Sequence, residues 1–162
     1  MHRLTGIIAL ATIGWSSAFG SEPFLTSAAQ GGIAAVEAAR LAAKVTQNSA
    51  VEEHAYGLIY DHEHMNEQLA RIAAKRGITL PSAPEAARAA GLQALRDAPP
   101  SAFDAMYLAF IADEHERLVE LLQSSLLHAD TEVAVFASYN LPRERAHGRM
   151  ARELKSSLSA AK

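Results

Sequence analysis

His62, His115 and His147 stand where apolar residues belong. Val51, Ala55, Leu58, His62, Met65, Leu69 and Ile72 follow one another at alternating spacings of four and three. That is the seam of a helix packed in a bundle. Leu108, Ile111, His115, Leu118 and Leu122 repeat the pattern further along. Phe136, Tyr139, His147, Met150, Leu154 and Leu158 form the stripe of the last segment, and Ile33, Glu37, Leu41 and Val45 that of the first. Each of the four polar residues falls close to the middle of its expected helix, so they share one layer whichever way the helices point. Facing helices of a bundle build metal sites in this way. Imidazole with one carboxylate suits zinc, copper or iron. The sequence therefore predicts that Glu37, His62, His115 and His147 meet in the core and hold one transition-metal ion. The same residues could instead close a polar network without metal, Glu37 bonding His62 or His115 and only fixing helix packing.

Other groupings are thinner. A di-iron carboxylate site uses a Glu from each of two helices and Glu-x-x-His from two more. Glu144-x-x-His147 fits, Asp61-x-x-His64 nearly fits, and Glu37 and Glu114 could complete the set. His64, however, lies off the Leu58/His62/Met65 seam and is expected at the surface. Met65 and Met150 follow His62 and His147 by three residues, which would favour copper if the thioethers turned inward. His54 and His128 read as surface or turn residues. No Gly-rich phosphate loop, nucleophile elbow or Ser/His/Asp arrangement occurs, so no enzyme class is assigned.

The elements that would position these residues are helices. Alanine is abundant, while Val, Ile and Thr are sparse. Expected helices run near residues 22–46, 50–76, 101–127 and 131–158, with a short one near 84–96 in the connection between the second and third long helices. The start and stop signals are Ser49 with Glu52, Ser82 with Glu85 and Ser101 with Asp104 as capping pairs, and Lys75-Arg76-Gly77 as a helix end. Pro142 should kink or split the last helix. Short turns make the first and second, and the third and fourth, long helices antiparallel. The expected fold is an all-α four-helix bundle.

Residues 1–20 have the layout of a secretory signal peptide: Arg3 near the start, an apolar run from Ile7 to Trp15, and Ala18 and Gly20 before Ser21. The reading is a signal peptide over 1–20, a bundle domain over 21–162, and a periplasmic or secreted location. No later segment is apolar enough for a membrane span. With 15 Lys and Arg against 18 Asp and Glu, there is no basic footprint for nucleic acid. The absence of cysteine excludes disulfides, thiolate catalysis and Cys-ligated metal. Protein partners are not legible.

Four stretches carry a resemblance: FLTSAAQGGIAAVEAARLA at 24–42, AYGLIYDHEHMNEQLARIAAKRGITLP at 55–81, FDAMYLAFIADEHERLVELL at 103–122 and NLPRERAHGRMARELK at 140–155. Together they resemble a bacterial exported family known as domain of unknown function 4142, labelled "predicted outer membrane protein" and grouped with ferritin-like bundles. The resemblance covers nearly all of residues 21–162. Its most specific pieces are Asp61-His62, Phe103-Asp104 with His115, and Leu141-Pro142 with His147. Glu37 corresponds to an acidic residue of that family's first helix. The resemblance implies a cell-envelope location and a ferritin-like bundle, and supplies no activity. Nothing here has the alternating strands of an outer-membrane barrel. Two functional readings follow: an envelope metal-binding protein, or a structural or stress-related interaction module.

Overall fold

The computed structural model describes residues 16–128 and 130–160. Five helices follow one another: α1 (Ser16–Val45), α2 (Ser49–Ala74), α3 (Ala86–Arg96), α4 (Pro100–Ser124) and α5 (Thr131–Ala160). No strand occurs among the described residues. α1 packs chiefly on α2, and α4 on α5; α1 also meets α4, and α2 meets α5. The expected four-helix bundle is the observed one. The short helix α3 sits in the crossover and contacts α1 and α4.

The caps differ from expectation in detail. Asn48, not Ser49, starts α2: its side chain accepts from the amides of Ala50 and Val51 at 3.0 and 3.3 Å. α3 and α4 begin at Glu85 and Pro99 without any side-chain cap, and Pro100 opens α4. The end of α2 is as expected. Gly77 takes φ +65°, and the amides of Gly77 and Ile78 bond back to Ala74 and Ala73 at 3.2 and 3.0 Å. Asp130 caps α5, accepting from the amide of Glu132 at 3.0 Å. It also joins Arg76 through two contacts of 2.6 Å and accepts from the hydroxyl of Ser21 at 2.7 Å. One carboxylate thus ties α1, the end of α2 and the start of α5 together.

Pro142 does not split the last helix; α5 runs through it. Tertiary packing on both sides, at Leu141 and Glu144, holds the backbone helical despite the missing N–H. Helix α1 likewise passes through Pro23, because it starts at Ser16 rather than near residue 22.

The buried faces of α2 and α4 match the expected seams, apart from a partly buried Ile72. Those of α1 and α5 match only in part: Phe136 is buried, and Leu41, Leu154 and Leu158 pack against the core. α1 buries Ala28, Ala29, Ala34, Ala35, Ala38, Ala39 and Ala42, while Glu37 and Leu41 are only partly buried and Val45 is exposed. α5 buries Val133, Phe136, Ala137, Asn140, Leu141, Glu144, Gly148 and Ala151, and leaves Tyr139 and Met150 exposed. Both helices turn small residues inward, which lets backbones approach closely. A Cβ on Gly148 would stand 3.1 Å from the Cβ of His115 on α4.

The core falls into two apolar clusters. One contains Leu58, Ile111, Ala34 and Ala151; the other contains Met65, Leu118, Ala29 and Leu141. On every long helix the boundary between them falls near mid-length.

Candidate metal centre

At that boundary α2 contributes His62, α4 His115 and α5 Glu144, each at most 3% exposed. The seams place them there: His62 lies between Leu58 and Met65, and His115 between Ile111 and Leu118. Glu144 lies one turn after Leu141 and one before Gly148 on the buried face of α5. The Nε2 atoms of His62 and His115 are 3.1 Å apart. Glu144 Oε2 is 3.5 Å from the first and 3.4 Å from the second.

These three atoms form a nearly equilateral triangle. In a tetrahedral site with metal–ligand bonds of about 2.0–2.1 Å, donors stand about 3.3–3.4 Å apart. The group could therefore hold a metal ion, with three protein donors. The other nitrogen of His115 agrees with that use, whereas that of His62, which would carry the proton in a ligating ring, has no acceptor among the described residues. His115 Nδ1–H donates to the carbonyl of Ile111 at 2.7 Å, which leaves the Nε2 lone pair facing His62 and Glu144. Glu144 Oε2 and His62 Nδ1 are buried without a hydrogen-bond partner among the described residues.

Burial sets the protonation. Desolvation holds His62 well below its ordinary value and His115 at about 3. It pushes Glu144 up to about 8, with the charge of Asp61 adding to the shift. Without a metal the layer is neutral: two imidazoles and a carboxylic acid.

His147 lies beside this group, its ring centroid 5.6 Å from that of His115 and 6.0 Å from that of His62. Its Nε2 is 2.9 Å from Asp61 Oδ2, so the expected ligand atom is engaged by a carboxylate. Asp61 in turn meets Arg143 at 3.3 Å. Glu37 is elsewhere. It is half-buried and pairs with Arg96 of α3 at 3.0 Å. Glu37 lies eight residues before the end of α1 at Val45 and His62 thirteen after the start of α2 at Ser49, so across the tight turn they differ in height by five residues, about 8 Å at 1.5 Å per residue. The expected Glu37/His62/His115/His147 set is thus corrected to His62, His115 and Glu144, with His147 adjacent. Glu144 was visible in the sequence only through its spacing to His147 and through the small residues Gly148 and Ala151 beyond it.

Glu114 is buried but bonded to Arg88 at 2.6 Å and to Arg117, and His64 is exposed, so the di-iron carboxylate set does not assemble. Met150 is about half-exposed, which removes it as an inward thioether. His54, expected at the surface, is 4% exposed; its Nδ1 is 3.5 Å from the hydroxyl of Tyr107. Its ring centroid is 6.2 Å from that of His147.

The family model described as a domain of unknown function (DUF4142) matches residues 17–154. Among solved structures, a DUF305 fragment from Deinococcus radiodurans has a similar fold: TM-score 0.76 and 18% identity, covering 85% of this chain and 96% of that one. At that identity the likeness concerns the fold alone. No curated protein matches this chain.

Proposed function

This chain belongs to the DUF4142 family, and we propose that it binds one divalent first-row transition ion through His62 Nε2, His115 Nε2 and the Glu144 carboxylate. The observation that carries this reading is the donor triangle, with edges of 3.1, 3.4 and 3.5 Å. A packing layer needs hydrogen bonds, and a buried carboxylate oxygen without one serves packing poorly. A metal turns the same atom into a ligand. Zinc, iron and copper all suit two imidazoles and a carboxylate. His147, held by Asp61, adds a neutral ring against the group and helps exclude water.

The test is metal analysis of protein purified without an affinity tag, followed by melting curves with zinc, copper or iron(II) and after chelation. One ion per chain and a rise in melting temperature are expected. Both should be lost in His115→Gln. If no metal shifts the native melting temperature, the layer is structural, and His115→Gln lowers stability equally with metal present or absent.

We also propose export to the cell envelope with removal of residues 1–20, on the three-part layout of that segment. No helix among the described residues is long and apolar enough to cross a membrane. Amino-terminal sequencing of the envelope fraction should begin at Ser21; recovery of an intact Met1 from the cytoplasm would refute it.

A further inference from the structure

A cavity of about 130 Å³ lies beside the donor group, although the donor oxygen of Glu144 is itself buried away from it. His115 and Glu144 line it, together with Gly148, Glu116 and the guanidinium-bearing residues Arg145, Arg149 and Arg152. The volume is that of a few waters at about 30 Å³ each, or of one small inorganic or carboxylate anion. The glycine keeps it open. A Cβ at Gly148 would lie 3.6 Å from Arg152 Nη1 and 3.1 Å from the Cβ of His115. Arg152 therefore stands directly over the gap beside His115.

The charge around this cavity has one sign in excess. Among the described residues, Arg145, Arg149 and Arg152 form no ion pair, whereas Arg143 on the same helix is paired with Asp61. Glu116 is the only opposing charge in the lining besides the donor Glu144. Arg145, Arg149 and Arg152 are exposed, and three unpaired guanidiniums around one small cavity give it a positive potential that favours an anion. A divalent ion on two neutral imidazoles and one carboxylate also keeps a net positive charge and lacks a fourth donor. Guanidinium matches planar carboxylate and oxyanion geometry.

Building on the proposed metal centre, we propose that this cavity binds a small carboxylate or oxyanion beside the metal, held by Arg152 and Arg149 and drawn by the site's positive charge. Metal and anion then bind cooperatively, each raising the other's affinity by the same factor.

Cobalt(II) and sodium formate are suitable probes, with sodium perchlorate keeping the ionic strength constant. The visible absorption of bound cobalt(II) reports the metal, and its change on adding formate reports the anion. Saturable formate binding is expected, together with a tighter apparent cobalt(II) affinity. Arg152→Gln should weaken formate roughly tenfold, the size of one charge-assisted contact. Without formate it should leave cobalt(II) affinity equal or tighter, because a positive charge is gone. Arg149→Gln should act in the same direction, and Arg71→Gln, on a distant face, should change neither. Opposite effects on anion and metal are not expected of residues that merely support the fold. Cobalt(II) binding with no formate response, or a formate response indifferent to Arg149 and Arg152, overturns the anion site and leaves the metal centre standing. Failure of cobalt(II) to bind removes both.

Discussion

Glu144 and Glu37 offer the sharpest comparison at the residue scale. Both are helix carboxylates, but one is buried against two imidazoles and the other is half-exposed against Arg96. Glu144→Gln should abolish the metal-dependent rise in melting temperature, because an amide is a poor ligand in place of a carboxylate. Glu37→Gln should leave the rise intact and cost less than about 1 kcal/mol, as exposed pairs contribute little. Melting curves of both variants with and without zinc check this. The histidines also make metal-free stability depend on pH. His54 is lowered to about 4 and His115 to about 3, both chiefly by burial, and His62 and His147 are lowered for the same first cause. A lowered histidine is neutral in the fold but protonates in the unfolded chain near 6.5. Its contribution is complete above that value and is lost as pH falls toward the folded value. Glu144 runs the other way. Raised to about 8, it contributes below its unfolded value of 4.5, and that contribution is lost as pH rises through 8. Four histidines against one carboxyl place the net loss on the acid side. Denaturant midpoints of the metal-free protein should fall steadily from pH 6.5 toward 4, and more gently from 6.5 to 8.

At the scale of the element, the helix ends are held by tertiary junctions more than by local capping pairs. Asp130 replaces several weak caps with one strong junction, serving α5, Arg76 and Ser21 at once. Asp130→Ala should lose the cap, about 1 kcal/mol by itself, and leave Arg76 without its nearest carboxylate. Asp130→Asn keeps an oxygen for the amide of Glu132 and should cost less. Urea denaturation of the two variants gives the order; equal losses would mean that the Arg76 pairing, not the cap, carries the effect. The small-residue faces of α1 and α5 explain why those stripes were misread. Large apolar residues mark a seam when helices stand at ordinary distance, but Ala and Gly mark it when they pack closely. On α5 this rotates the true inward face from Tyr139 and Met150 to Asn140, Glu144 and Gly148.

For the whole molecule, the polar layer divides the core and so couples metal to global stability. Two apolar clusters lie above and below it, and three of the four long helices donate to it. An ion bound only by the folded chain adds about 2.7 kcal/mol at a hundredfold excess over its dissociation constant. For a single domain of this size that corresponds to a rise of several degrees. The rise should grow with the logarithm of free metal, a dependence that calorimetry at several zinc concentrations can follow; a rise independent of concentration would speak against specific binding.

Local physics was enough for much of this protein. Alanine-rich composition and apolar periodicity of four and three specify helices, their number and the inward faces of α2 and α4, because those signals act within a few turns of one chain. His62 and His115 were legible for the same reason: a polar residue in an otherwise apolar seam must find a partner inside. The identity of that partner was not local. It depended on the axial offset of α1 against α2, which sets the height of Glu37, and on how closely α5 approaches α4 at Gly148, which turns Glu144 rather than His147 onto the other donors. The burial of His54 against Tyr107 is of the same kind. Rotation and axial offset of one helix against another are decided by the fit of whole surfaces, and only the assembled bundle contains that information.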